Sequence, residues 1–112
     1  MSDVTMVALH SALTGISLRQ RVIADNIANI NTPGYHAKRV EFENALAGAV
    51  ENGTGGTAAT VGTSVEPTRL DGNNVNLDHE TLANVDTGLR YQLMLRADDS
   101  KIGLLRDALR SQ

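Results

Sequence analysis

The chain has 112 residues, 41% of them hydrophobic, with one Phe, two Tyr and no Trp, a composition that argues against a large single-core enzyme because aromatic side chains cannot fill a thick core. Ten Lys plus Arg against thirteen Asp plus Glu leave a formal charge of -3 with both signs interspersed. That pattern gives no electrostatic footprint for nucleic acid and favours a protein partner, while the absence of Cys removes disulfides, thiolate zinc sites and cysteine nucleophiles together.

The opening residues, Met1 to Met6, lack a basic region followed by an uninterrupted apolar one, so no cleaved secretory signal is expected. No apolar run approaches the roughly 20 residues of a membrane helix, and direct membrane insertion is not expected. From Met6 the apolar residues fall at Met6, Leu9, Leu13, Ile16, Ile23, Ile27 and Ile30, with Gln20 where another is due. This 3,4 repeat predicts an amphipathic helix with coiled-coil spacing from about Val4 to Ile30, roughly 40 Å long. Gln20 stands either as a register-setting polar residue or at the edge of a widened seam.

The run from Asn29 to Tyr35 ends that helix: Pro33 pushes Thr32 out of the α region, and Pro33-Gly34 suits a type II turn. His36 to Leu46 is expected to be extended, with Val40 and Phe42 alternating. Half of the ten glycines lie between Gly48 and Gly62 among Ala and Thr, and a flexible link is expected there. Pro67 to Leu70 should be extended and Asp71-Gly72-Asn73-Asn74 should turn. A second long helix begins near Asn76 or Asp78, either of which can cap it, with a stripe of Leu82, Val85, Leu89 and Leu93 continued on a slightly rotated face by Leu95, Ile102, Leu105 and Leu109.

Two long helices separated by a low-complexity middle bury their stripes most simply as an antiparallel coiled-coil hairpin. The expected fold is therefore all-α: an N-terminal helix and turn over 1–35, an extended or flexible middle over 36–76, and a C-terminal helix over 77–112, the two helices forming one domain. One helix pair leaves flanks uncovered, since Leu93, Met94 and Leu95 point over an arc that a single partner cannot screen, so further helix contacts from other chains are expected.

No constellation of chemistry stands out. The histidines His10, His36 and His79 are scattered, and Asp71 to Asp78 departs from a calcium loop at its fifth, sixth and twelfth positions, so neither metal nor cofactor is expected. Glu41 and Glu43 would share one face of a strand, with Lys38 and Arg39 making a solvated edge the better reading than catalysis.

The block Arg19-Gln20-Arg21-Val22-Ile23-Ala24-Asp25-Asn26-Ile27-Ala28-Asn29-Ile30-Asn31-Thr32-Pro33-Gly34-Tyr35 resembles the N-terminal motif of bacterial flagellar rod and hook proteins. Within that family, Leu70 to Glu80 and Leu89-Arg90-Tyr91-Gln92 resemble the C-terminal pattern of the proximal rod member. The resemblance implies a structural subunit, without enzymatic activity, that stacks helically in the periplasmic drive shaft between the membrane ring and the distal rod and hook. It also implies export by the flagellar type III apparatus without signal cleavage, and contacts with itself, other rod proteins and the ring adaptor protein FliE. A small helical-hairpin adaptor or chaperone is the alternative.

The expected assembly positions are Leu13, Ile16, Gln20, Ile23 and Ile27 on the first helix, and Leu89, Tyr91, Leu93, Leu95, Ile102 and Leu105 on the second. At the turn, Asn26, Asn29 and Asn31 offer amides able to bond a neighbour's backbone or to cap locally. Pro33 and Gly34 set chain direction, and Tyr35 anchors the bend.

Overall fold

The computed structural model describes residues 4–110; side chains at 102, 104–106 and 108–110 are outside the description, which includes those of the expected assembly residues Ile102 and Leu105. Two long helices dominate: α1, Val4–Ala28, and a C-terminal helix, Leu77–Arg110. Between them lie β1, Lys38–Glu41; α2, Glu43–Glu51; and β2, Thr60–Thr63, so the C-terminal helix is α3. The chain is elongated, 66 × 26 × 14 Å.

The long helices run antiparallel: His10 near the start of α1 lies 3.3 Å from Asp98 of α3, and Asn26 near its end bonds Glu80 at the start of α3. Asn76 caps α3, its Oδ1 accepting from the His79 amide at 3.1 Å, and Asp78 and Glu80 stand in the positive first turn. The turn after α1 is type II, with Tyr35 N–H donating to Thr32 O at 3.2 Å and Gly34 at φ 75°.

The fold is not strictly all-α. β1 and β2 pair antiparallel, Lys38 opposite Thr63 and Val40 opposite Val61. The extended reading of 36–46 holds for β1 alone; from Glu43 the chain turns helical because Ala45, Ala47 and Ala49 favour helix and Leu46 can then pack beside Phe42. Glu41 and Glu43 accordingly sit on different elements. Along the Gly/Thr-rich stretch the chain ends α2, crosses back over α1, where Ser11 Oγ donates to Gly55 O and accepts from Thr57 N–H, and then forms β2.

The core is small: Ala12, Ile16, Val22, Val40 and Phe42, with Leu46, Tyr91 and Met94 packed against it. Gly15 makes it possible, because a Cβ there would stand 2.5 Å from the Phe42 ring. Of the expected α1 stripe only Ile16 and Ile23 are buried; Leu13, Gln20 and Ile27 are half-buried. The buried face is rotated toward Ala12, Gly15, Val22 and Asn26, where small or polar side chains let β1 and Phe42 approach.

Candidate functional site

The two motif blocks meet at one end of the hairpin. Asn26 is fully buried; its Oδ1 accepts from Lys38 N–H at 2.9 Å and the Tyr35 hydroxyl at 3.3 Å, and its Nδ2 donates to Lys38 O at 3.0 Å and Glu80 Oε1 at 3.2 Å. Both amide donors and the acceptor are thus used within the subunit. Asn29 caps locally, donating to Asp25 O and accepting from Thr32 Oγ1, while Asn31, Pro33 and Gly34 are exposed.

Asn73 and Asn74, which sequence reasoning read only as turn formers, lock this end. Asn73 Nδ2 donates to Asn29 O at 2.8 Å and Thr32 O at 2.9 Å, and its Oδ1 accepts from Val75 N–H at 2.7 Å. Asn74 Oδ1 accepts from Ala37 N–H, and its Nδ2 reaches Ser64 O and Glu66 O. Arg69 adds bonds to Ile30 O and Val75 O. Gly34 donates its N–H to Asp71 O at 2.8 Å, and a Cβ on Gly72 would lie 3.2 Å from Gly34 Cα, so the two turns touch backbone to backbone. The only signal in the sequence was a pair of adjacent asparagines after Asp-Gly.

Glu80 and Arg39 were also missed as a pair. Glu80 is fully buried, with Oε1 2.8 Å from Arg39 Nη1, and Oε2 has no partner among the described residues. Tyr35 beside them has its pKa raised by burial first, then by the negative charges of Asp25 and Glu80. A buried ion pair adds little net stability but penalises any arrangement that breaks it, so Glu80 sets how α3 is rotated against α1.

That rotation decides what α3 shows to solvent. Glu80 and Thr87 are buried, Tyr91 and Met94 half-buried, all toward α1. Leu82, Leu89 and Leu93 each lie two residues further on, about 200° round the helix. They point away, 72%, 63% and 61% exposed, with Val85 at 58% and Leu95 at 39%. The stripe expected to seal the hairpin therefore faces outward. At its Leu93 end it runs into a cleft of about 550 Å³ floored by Ala12, Ile16, Phe42, Leu46 and Met94, with Arg19, Glu43 and Arg90 on the rim. Arg19 pairs with Glu43 and donates to Val40 O at 2.7 Å. Burial alone would raise the Glu43 pKa, but the hydrogen bond and charge of Arg19 outweigh it and bring it below the ordinary value.

Among the described residues no three metal-ligating side chains cluster, and no helix is long and apolar enough to cross a membrane.

Residues 6–36 match the family model described as flagella basal body rod protein. The flagellar basal body rod protein FlgB of Escherichia coli K12 is 31% identical over 97% of this chain and 95% of its own length. FlgB of Bacillus subtilis 168 is 29% identical over 94% and 92%, and FlgB of Borreliella burgdorferi 33% identical over 76% and 80%.

Proposed function

The chain belongs to the FlgB family of flagellar basal body rod proteins, and from that premise we propose that it works as a structural subunit of the rod, without enzymatic activity, building the proximal drive shaft by stacking helically with its neighbours. The observation that carries this reading is the outward stripe of Leu82, Val85, Leu89 and Leu93. Covering each of these side chains would contribute roughly 1–2 kcal/mol, which the isolated subunit forgoes and an assembly recovers. Leu13, Gln20 and Ile27, left half-buried on α1, offer a second strip for a neighbouring helix, and exposed Asn31 an amide for its backbone.

In this reading the asparagine-clamped end gives each subunit a fixed shape, and the helices do the assembling. The rod joins the membrane ring, through the adaptor FliE, to the distal rod and hook. Subunits reach it through the flagellar type III apparatus without a cleaved signal. A small core without disulfides suits a chain that must cross a channel unfolded and then fold on its neighbours.

Mass spectrometry of purified basal bodies from the source bacterium is the test. Several copies of the chain per basal body, beside ring and rod proteins, are expected. Its absence from intact basal bodies, with the chain recovered free in the cytoplasm, would overturn the reading.

A further inference from the structure

The β1–β2 sheet has two outer edges, and the molecule treats them oppositely. In an antiparallel pair, alternate residues turn their N–H and C=O toward the partner strand and the others turn them outward. The Ser64 N–H to Ala37 O bond fixes the phase: Thr60, Gly62 and Ser64 face β1, so Val61 and Thr63 face out, as do Lys38 and Val40 on the other edge. On β1 three of the four outward groups are closed by side chains. Asn26 takes both Lys38 N–H and Lys38 O, as the peptide group of a third strand would, and Arg19 takes Val40 O.

On β2 no hydrogen bond among the described residues reaches the outward groups of Val61 and Thr63. All four strand residues are exposed, Val61 at 49%, followed by Val65 at 98%. Two usual protections of an open edge, charge and proline, are missing: no charged residue stands between Glu51 and Glu66, and the first proline downstream is Pro67. Thr60-Val61-Gly62-Thr63 presents β-branched side chains on an uncharged, unguarded edge.

We infer that β2 accepts an additional strand, an uncharged extended segment of a neighbouring rod protein, by main-chain hydrogen bonds to Val61 and Thr63. This rests on the rod reading above. The incoming strand carries an apolar residue opposite Val61, extending the Val40–Val61 row and covering the exposed half of Val61. A four-residue edge buries far less than the roughly 1,000 Å² a free-standing interface needs, so it engages only where the leucine face of α3 already holds the neighbour close. A symmetric pairing with a second copy would use the same patch on both chains and close on itself, whereas a growing rod needs unlike surfaces to meet.

The test is hydrogen exchange, with a proline substitution beside it. Val61→Pro removes an N–H that β1 does not use, at an edge position that tolerates proline; Val61→Thr keeps that N–H. In basal bodies containing the chain, the amides of Val61 and Thr63 should exchange at least tenfold more slowly than in the free chain. Val61→Pro should enter basal bodies at least tenfold less than Val61→Thr. Amides that exchange as fast in basal bodies as in the free chain, or equal incorporation of the two variants, would overturn the inference while leaving the rod reading standing. So would a dimer of the free chain in sedimentation equilibrium that Val61→Pro abolishes, because the occupant would then be a second copy. If Val61→Pro lowers the helical circular dichroism of the free chain, Thr63→Pro replaces it and the exchange measurement decides alone.

Discussion

The turn end and the outer face of α3 are built on opposite plans. At the turn end, Asn26, Asn73 and Asn74 are buried and both amide donors of each are used inside the subunit. Along α3 the large apolar side chains Leu82, Val85, Leu89 and Leu93 are more than half exposed. The buried amides are satisfied by the chain itself, as in any folded domain, whereas these apolar side chains stay exposed in the single subunit, as they do not in a self-sufficient core. In the rod reading proposed above, shape is decided within the subunit and cohesion between subunits.

The comparison can be broken from either side. The largest effect is expected on the outer face: Leu89→Asp should reduce incorporation into basal bodies at least tenfold while leaving the unfolding free energy of the free chain in urea within about 0.5 kcal/mol of the parent, since surface changes away from packed features cost little. A large loss of stability would mean that Leu89 belongs to the subunit's own core. Ile23, by contrast, is only 5% exposed, so Ile23→Asp reports on folding of the subunit and not on assembly.

At the turn end, Asn73→Ala removes the side-chain bonds to the Asn29 and Thr32 carbonyls, which keep the Thr32 and Tyr35 amides, and strands the Val75 amide; the loss of three bonds should destabilise the free chain by roughly 2–4 kcal/mol in urea unfolding. Between the two regions, Gly15→Ala drives a methyl into the Phe42 ring and should cost about 1–3 kcal/mol by the same measurement, with the near-ultraviolet signal of the aromatic side chains altered.

The smallest effect is a pH dependence at the cleft. The Glu43 pKa is lowered in the folded chain, so its pairing with Arg19 is fully present above the ordinary glutamate value of about 4.3 and is lost as pH falls through the lower, folded one. Nuclear magnetic resonance titration should show the Glu43 carboxyl titrating below that value and the Phe42 ring shifts following it. Glu43→Gln should remove this pH response of Phe42; a Phe42 shift that persists in the variant would assign the response to another group.

Much of this was legible in the residues. The helix predicted by the 3,4 spacing, the Thr32-Pro33-Gly34-Tyr35 turn and a cap at Asn76, one of its two candidates, are local consequences of side-chain period, a proline ring, a glycine at positive φ and a short polar side chain, and each formed, though the buried face of α1 is rotated from the expected stripe. The short sheet was not legible, because β1 and β2 are four residues each and β2 lies in a stretch without apolar alternation. Nor was α2, where two alternating residues, Val40 and Phe42, outweighed the alanines that follow.

The sequence by itself determined that there would be two long amphipathic helices, a sharp polar turn and more apolar surface than one hairpin can cover. Those follow from period and composition, which are properties of the chain. Which apolar surface would be left over was decided only in three dimensions. A helix can rotate about its axis without changing its period, and the buried contact of Glu80 with Arg39 and Asn26, from three separate elements, fixes that rotation with the leucines facing out.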